Sequence, residues 1–148
     1  MKIKLSVSEE HYAELEALLT LHGFQISDDA DFILQERQKG AAFLNARRED
    51  AVCRIRTEDI VYIESFGKNV ILHTMDGEYS LTERLKELEV LLDSEKFMRI
   101  SNSVIIARNS VSRIKPTLRT KFILTLKNGA VVDVTRSYYY IFRDAYGI

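Results

Sequence analysis

The sequence is poor in residues that staple, break or span. Its 148 residues hold one cysteine, Cys53, one proline, Pro116, and six glycines. A single cysteine excludes an internal disulfide. None is needed, because a chain of this length can bury about 70% of the surface its unfolded form exposes. No apolar run approaches the ~20 residues a membrane helix requires. The opening MKIKLSVSEE puts Lys2, Lys4, Glu9 and Glu10 where a secretory signal would need an apolar core. These absences point to a soluble protein of a reducing compartment, the cytoplasm, with no membrane insertion. Proline and glycine are also too scattered to mark a disordered segment.

The residues of catalysis are equally thin. His11, His22 and His73 are far apart, and none stands four residues from another ligand on one helix. With one cysteine and no His/Asp cluster, a metal site is not expected. Glu64 lacks an identifiable partner carboxylate for general acid work, and its carboxylate is better suited to orienting nearby loop groups. Gly67-Lys68 lacks the preceding glycine of a phosphate loop, and no Ser or Thr follows the lysine. No dinucleotide fingerprint is present. The expectation is a non-enzyme with no cofactor. His73, within a strand pattern, reads as a packed or hydrogen-bonded side chain.

What the sequence does have is charge asymmetry. The net charge is only -1. Residues 1–50 nevertheless carry 6 Lys and Arg against 10 Asp and Glu, a balance of -4. Residues 96–148 carry 10 basic side chains against 2 acidic ones, Asp133 and Asp144, a balance of +8. A basic half beside an acidic half points to a polyanion site on the basic one. A merely basic surface is the alternative.

Hydrophobic periodicity divides the chain at the same place. Ile3, Leu5 and Val7 alternate with polar residues, as in a strand. Ser8 can cap a helix opening with Glu9 and Glu10 and carrying Tyr12, Leu15, Leu18 and Leu19 at helical spacing, with Gly23 at its end. Phe24–Ile26 is short and apolar, Asp28, Asp29 and Asp31 mark a turn, and Phe32–Leu34 read as another strand. Residues 1–50 therefore predict a small β-α-β module, with the boundary in the polar stretch Gln38–Asp50. From Ala51 the pattern becomes many short strands: 52–56, 60–64, 69–75, 97–100, 103–107, 111–115, 120–127 and 130–134. Asp76-Gly77 and Asn128-Gly129 are two-residue hairpin signals. Ser80-Leu81-Thr82-Glu83 has the form of a capping box before a helix whose buried stripe is Leu85, Leu88, Leu91 and Leu92. Ser137–Tyr146 predicts a short closing helix. Short strands at this spacing indicate an all-β sandwich or barrel-like domain over residues 51–148.

Three loops of that domain offer hydrogen-bonding chemistry. They are Ser65-Phe66-Gly67-Lys68-Asn69, Arg99-Ile100-Ser101-Asn102-Ser103 and Thr135-Arg136-Ser137-Tyr138. Arg can pair bidentately with guanine and Asn with adenine, while Lys, Ser and Tyr can hold phosphates. Asn and Ser are also ordinary turn residues. Arg99, Arg108, Arg113, Lys115, Arg119 and Lys121 could supply further phosphate contacts. Single-stranded RNA fits less well, because Tyr138, Tyr139 and Tyr140 are adjacent rather than alternating on a strand as a stacking platform requires. At least two of them should pack the closing helix onto the sheet. A protein-interaction or ligand-sensing module without DNA binding is the other reading.

Order and spacing then carry a resemblance. Asp59-Ile60-Val61-Tyr62-Ile63-Glu64-Ser65, the helix Leu81–Leu92, Phe97-Met98-Arg99-Ile100-Ser101-Asn102-Ser103, Ile114 and Val134-Thr135-Arg136-Ser137-Tyr138-Tyr139 together resemble the LytTR family of bacterial DNA-binding domains over residues 51–147. The resemblance implies a mainly β, elongated, sandwich-like fold with one or two short helices. It implies a transcription regulator that inserts loops, rather than a recognition helix, into successive major grooves of duplex DNA. It places Lys68, Asn69, Asn102 and Arg136 near the DNA; Arg99, Ser101, Ser137 and Tyr138 of the same loops are further candidate contacts, and Asn102 and Arg136 are the residues expected to read bases. The family often has His then Arg or Lys at Ser101-Asn102, and Asn at Ala107, so sequence preference does not transfer. Most relatives carry a phosphoacceptor receiver domain, for which residues 1–50 are too few. That module is expected to mediate dimerisation on repeated half-sites or to answer to a regulatory protein partner.

Overall fold

The computed structural model describes residues 1–36 and 40–148. It divides into two compact units, Met1–Gln38 and Lys39–Ile148. The first unit contains strand β1 (Lys2–Ser6), helix α1 (Glu9–Leu21), β2 (Gln25–Ile26) and β3 (Phe32–Gln35). β1 is central and parallel to both neighbours, in the order β2-β1-β3. A parallel pair needs a crossover, and α1 supplies it between β1 and β2. Ser8 stands at the helix N-cap in extended conformation. Its hydroxyl bonds the Glu36 carboxylate at 3.1 Å rather than a helix N–H. Gly23, at φ 87°, ends the helix as expected, with the Phe24 N–H donating to the Leu19 carbonyl.

The second unit begins earlier than composition indicated. Phe43–Arg48 forms a strand, β4, inside the stretch read as a linker. It pairs with β5 (Ala51–Arg56) at six consecutive positions and with β8 (Glu78–Leu81) at Arg47–Ser80. The boundary between units therefore falls after Gln38, not at 50/51. Leu44 and Ala46 are buried and alternate with exposed Phe43, Asn45 and Arg47, a period-two pattern masked by the charges of Arg47-Arg48-Glu49-Asp50. Glu49, at φ 55°, turns the hairpin without a glycine to announce it. The expected linker residues Gln38 and Lys39 lie outside the described residues.

Downstream come β6 (Ile60–Phe66), β7 (Asn69–Thr74), helix α2 (Leu85–Leu91), β9 (Phe97–Arg99) and β10 (Val104–Ala107). After these follow β11 (Val111–Pro116), β12 (Phe122–Leu126), β13 (Val131–Val134) and helix α3 (Tyr139–Tyr146). Seven strands form one sheet in the order β5-β4-β8-β7-β6-β10-β9, and β11-β12-β13 form a second. Strand parity assigns each side chain a face. Ile63, Leu72 and Ile105 point to a cluster completed by Leu85, Leu88 and Leu92 around α2. Tyr62, Val104 and Ile106 point the other way, to Phe122, Leu124, Val132, Val134 and Phe142. A register irregularity between Ile60 and Tyr62 lets Val61 join the same cluster as Tyr62. The main sheet is thus covered by a helix on one face and by a second sheet with α3 on the other. This is the mainly β, sandwich-like class read from the strand spacing.

Two local expectations change. Ser80 and Leu81 continue the β8 ladder opposite Ile71 and Val70, so they do not cap α2. The helix starts at Leu85, where the Arg84 N–H faces the Glu87 carboxylate at 3.5 Å. The buried stripe is Leu85, Leu88 and Leu92, while Leu91 points outward. An i, i+3, i+7 spacing fits one face of so short a helix, and the fourth leucine has no room there.

Candidate nucleic-acid interface

The three polar loops meet at one end of the second unit. β6 and β7 are joined by the two-residue turn Gly67-Lys68, with Phe66 opposite Asn69. Gly67 has φ 56°, the left-handed conformation such a tight turn demands. The loop between β9 and β10 spans Ile100–Ser103, and the segment after β13 begins at Thr135. Two backbone hydrogen bonds tie these segments together. The Ser65 N–H donates to the Ser103 carbonyl at 2.9 Å, and the Thr135 N–H donates to the Ile100 carbonyl at 3.0 Å. A fourth basic segment joins them. Phe122 opposes Val134, so the β11–β12 turn holding Arg119 and Lys121 lies at the same end as Arg136.

The eight residues singled out in the sequence separate into two groups. Lys68, Asn69, Asn102, Arg136 and Ser137 are exposed. Among the described residues, none of these five side chains has a hydrogen-bond or ion-pair partner. Arg99, Ser101 and Tyr138 face inward. Ser101 is buried, and its hydroxyl accepts from the Ser103 N–H at 3.2 Å, which shapes the loop from inside. The Arg99 guanidinium is committed to the Ser101 and Asn102 carbonyls and to Glu89. Tyr138 and Tyr139 pack on the second core, whereas Tyr140 is exposed. Arg108 and Lys96 lie away from this end: Arg108 follows the far terminus of β10, and its N–H donates to the Lys96 carbonyl.

Farther along β6 and β7 a polar cluster surrounds the buried His73. His73 Nε2 lies 2.7 Å from Glu64 Oε1, and its Nδ1 lies 3.8 Å from Glu78. The His73 ring stacks on Tyr62 with centroids 4.1 Å apart. Burial, then the charges of Glu64 and Glu78, push the Tyr62 phenol up to about 12. Glu64 therefore holds His73, a side chain of β7 rather than the loop group expected, and β6 continues two residues past it to Phe66.

Phe66 belongs to the first of the three loops, yet its ring has no hydrogen-bonding role there. It is 63% exposed beside Lys68. The strand read over 60–64 runs on to Phe66 in the structure. Only the tight Gly67-Lys68 turn that follows marks it as a tip residue.

The second unit is thus a mainly β, sandwich-like domain that presents basic and amide side chains at one end, from two tight loops and from the 3-10 turn Arg136–Tyr138. The LytTr DNA-binding domain family model matches residues 50–147, and the chain belongs to that family. The fold agrees with a solved LytTr DNA-binding domain of a putative methyl-accepting/DNA response regulator from Bacillus cereus. That likeness has a TM-score of 0.70 at 26% identity and covers 74% of this chain and all of that one. Two curated relatives are Sensory transduction protein LytT of Bacillus cereus, 32% identical over 90 residues, and Transcriptional regulatory protein LytR of Staphylococcus aureus, 25% identical over 100 residues. These alignments cover 61% and 68% of this chain and 37% and 41% of those proteins, so the chain spans about two-fifths of their length. Among the described residues no helix is long and apolar enough to cross a membrane.

Proposed function

We propose that the chain is a cytoplasmic transcription regulator that binds duplex DNA sequence-specifically by setting its loops into the major groove. The observation carrying this reading is the convergence of three loops, joined by the Ser65–Ser103 and Thr135–Ile100 hydrogen bonds, on one end bearing unpartnered Lys68, Asn69, Asn102 and Arg136. Arg136 and Asn102 have the donor and acceptor sets to read base edges. Lys68, Arg119 and Lys121 supply phosphate contacts, whose energy comes from released counterions. No step of this reading is enzymatic. The chain acts as a homodimer on two half-sites about 10–10.5 bp apart, or a multiple, with Met1–Gln38 as the pairing unit or the target of a regulatory protein.

The test is titration with a duplex enriched from a random-sequence pool by the wild-type chain, beside an unselected duplex, at two salt concentrations. Arg136→Ala should lose about 1–3 kcal/mol on the enriched duplex and relax preference at one base pair. Lys68→Ala should weaken both duplexes alike and flatten the salt slope by about one unit. Absence of binding at low salt would overturn the DNA reading in favour of a protein-interaction module. Equal losses on both duplexes for Arg136→Ala would remove its base-reading role.

A further inference from the structure

We propose that Arg99 serves DNA recognition through the loop it holds rather than by touching DNA, and that the acidic Glu89 belongs to the same positioning device. The inference rests on the DNA reading above. Arg99 closes β9, and its side chain is only 19% exposed. Its Nε donates to the Ser101 carbonyl at 3.0 Å and its Nη2 to the Asn102 carbonyl at 2.6 Å. Its Nη1 donates to Glu89 Oε2 at 3.0 Å. All three nitrogens of the guanidinium are therefore engaged, and two are spent on successive carbonyls of the loop that carries Asn102.

Both carbonyls are drawn toward the body of the domain, and the exposed Asn102 side chain lies on the outside. Ser101 fixes the same turn from within, its hydroxyl accepting the Ser103 N–H. Ser103 in turn accepts from Ser65, so the geometry Arg99 imposes reaches the Lys68 loop. Glu89 comes from α2, whose Leu85 and Leu88 are anchored in the core. A carboxylate on a rigid helix sets the rotamer of the fork, because a planar guanidinium held at one nitrogen has little freedom at the others. Lysine cannot reproduce this, having one point charge where the site uses three directed donors.

The charge of Glu89 gives the idea its decisive sign. Long-range electrostatics alone says that removing an acid from a DNA-binding domain should tighten binding to a polyanion. The positioning device says the reverse. We expect Glu89→Gln to lower affinity for the enriched duplex by about tenfold, the scale of one charge-assisted hydrogen bond. Binding to the unselected duplex should be unchanged or tighter, and the salt slope should be retained. Arg99→Ala and Arg99→Lys should both lose at least as much on the enriched duplex, and Arg99→Ala combined with Glu89→Gln should lose no more than Arg99→Ala alone. Thermal melting of each variant separates loop disorder from loss of the fold, and Glu89→Gln, at the more exposed partner of the pair, keeps the test open if Arg99→Ala unfolds.

Tighter or unaltered binding of the enriched duplex by Glu89→Gln would overturn the proposal. So would full affinity in Arg99→Lys. Equal weakening of both duplexes by Arg99→Ala, with a slope smaller by about one, would make Arg99 a direct phosphate contact instead. Failure of the wild-type chain to bind either duplex is a different result, and it removes the DNA reading itself.

Discussion

Lys39–Ile148 closes two hydrophobic clusters on opposite faces of one sheet, whereas Met1–Gln38, among its described residues, buries only Leu5. The larger unit carries the family match and the basic loops. The smaller is acidic and displays Tyr12, Leu18, Leu21, Phe32, Ile33 and Leu34 to solvent. Units below about 40 residues rarely bury enough apolar surface to offset their conformational entropy without a metal, a disulfide or a partner. The comparison teaches that internal packing accounts for the stability of the larger unit, and it predicts that the smaller one draws on association.

The largest expected effect tests the internal side. Phe142 is fully buried and packs its ring against Phe122 and Tyr146. Phe142→Ala should cost about 3–5 kcal/mol in urea denaturation. Leu5→Ala should leave that transition in place. An equal shift of the main transition by Leu5→Ala would break the comparison, because the units would then unfold as one.

A somewhat smaller effect follows from Tyr62. Its phenol ionises at about 12 in the folded protein because burial and then the Glu64 and Glu78 charges oppose the anion. The unfolded phenol ionises near 10. Above pH ~10 the unfolded chain therefore loses its proton first, and stability falls as pH rises toward about 12. The loss should reach roughly 2–3 kcal/mol. It should shrink in Tyr62→Phe, read from denaturation midpoints across that range. An alkaline slope of unchanged size in Tyr62→Phe would assign it to other groups.

How much of this was legible follows the same division. Alternation and turn chemistry are local, so the hairpins at Asp76-Gly77 and Asn128-Gly129, the strands around Ile63 and Ile105, and the closing helix could be read from the chain. The strand Phe43–Arg48 could not, because its apolar period is only two residues deep, Leu44 and Ala46, before four charges follow. Among the site residues, Lys68 and Asn102 are exposed loop residues, and Arg136 is exposed at the start of the 3-10 turn Arg136–Tyr138. The inward roles of Arg99 and Ser101 were hidden. Whether an arginine turns to a phosphate or to two carbonyls and a carboxylate depends on Glu89, which lies on another element. Residue types locate the loops, and only tertiary contacts assign the jobs within them.

The smallest expected effect sharpens the other side of the comparison. β3 is an edge strand in the order β2-β1-β3, and all four of its residues, Phe32–Gln35, are exposed and uncharged. Natural edge strands are usually blunted by lysine, proline or a bulge. This one is not, and its backbone edge is open to pairing with another strand. A second copy offers the same edge, and antiparallel pairing about a two-fold axis would build one six-stranded sheet from the two three-stranded sheets. No like charges would meet within the four residues, and Phe32 and Leu34 of both copies would cover each other. Ile33→Lys places two ammonium groups at that seam. In the full-length chain it should convert a dimer to a monomer by sedimentation equilibrium. It should weaken binding to DNA bearing two half-sites by about tenfold, or ~1.4 kcal/mol, and leave binding to one half-site unchanged. A wild-type chain that sediments as a monomer on two-half-site DNA, or an Ile33→Lys chain that stays dimeric, would mean that the apolar edge serves a different protein. The acidic unit would then be a docking module and the basic unit would read DNA alone.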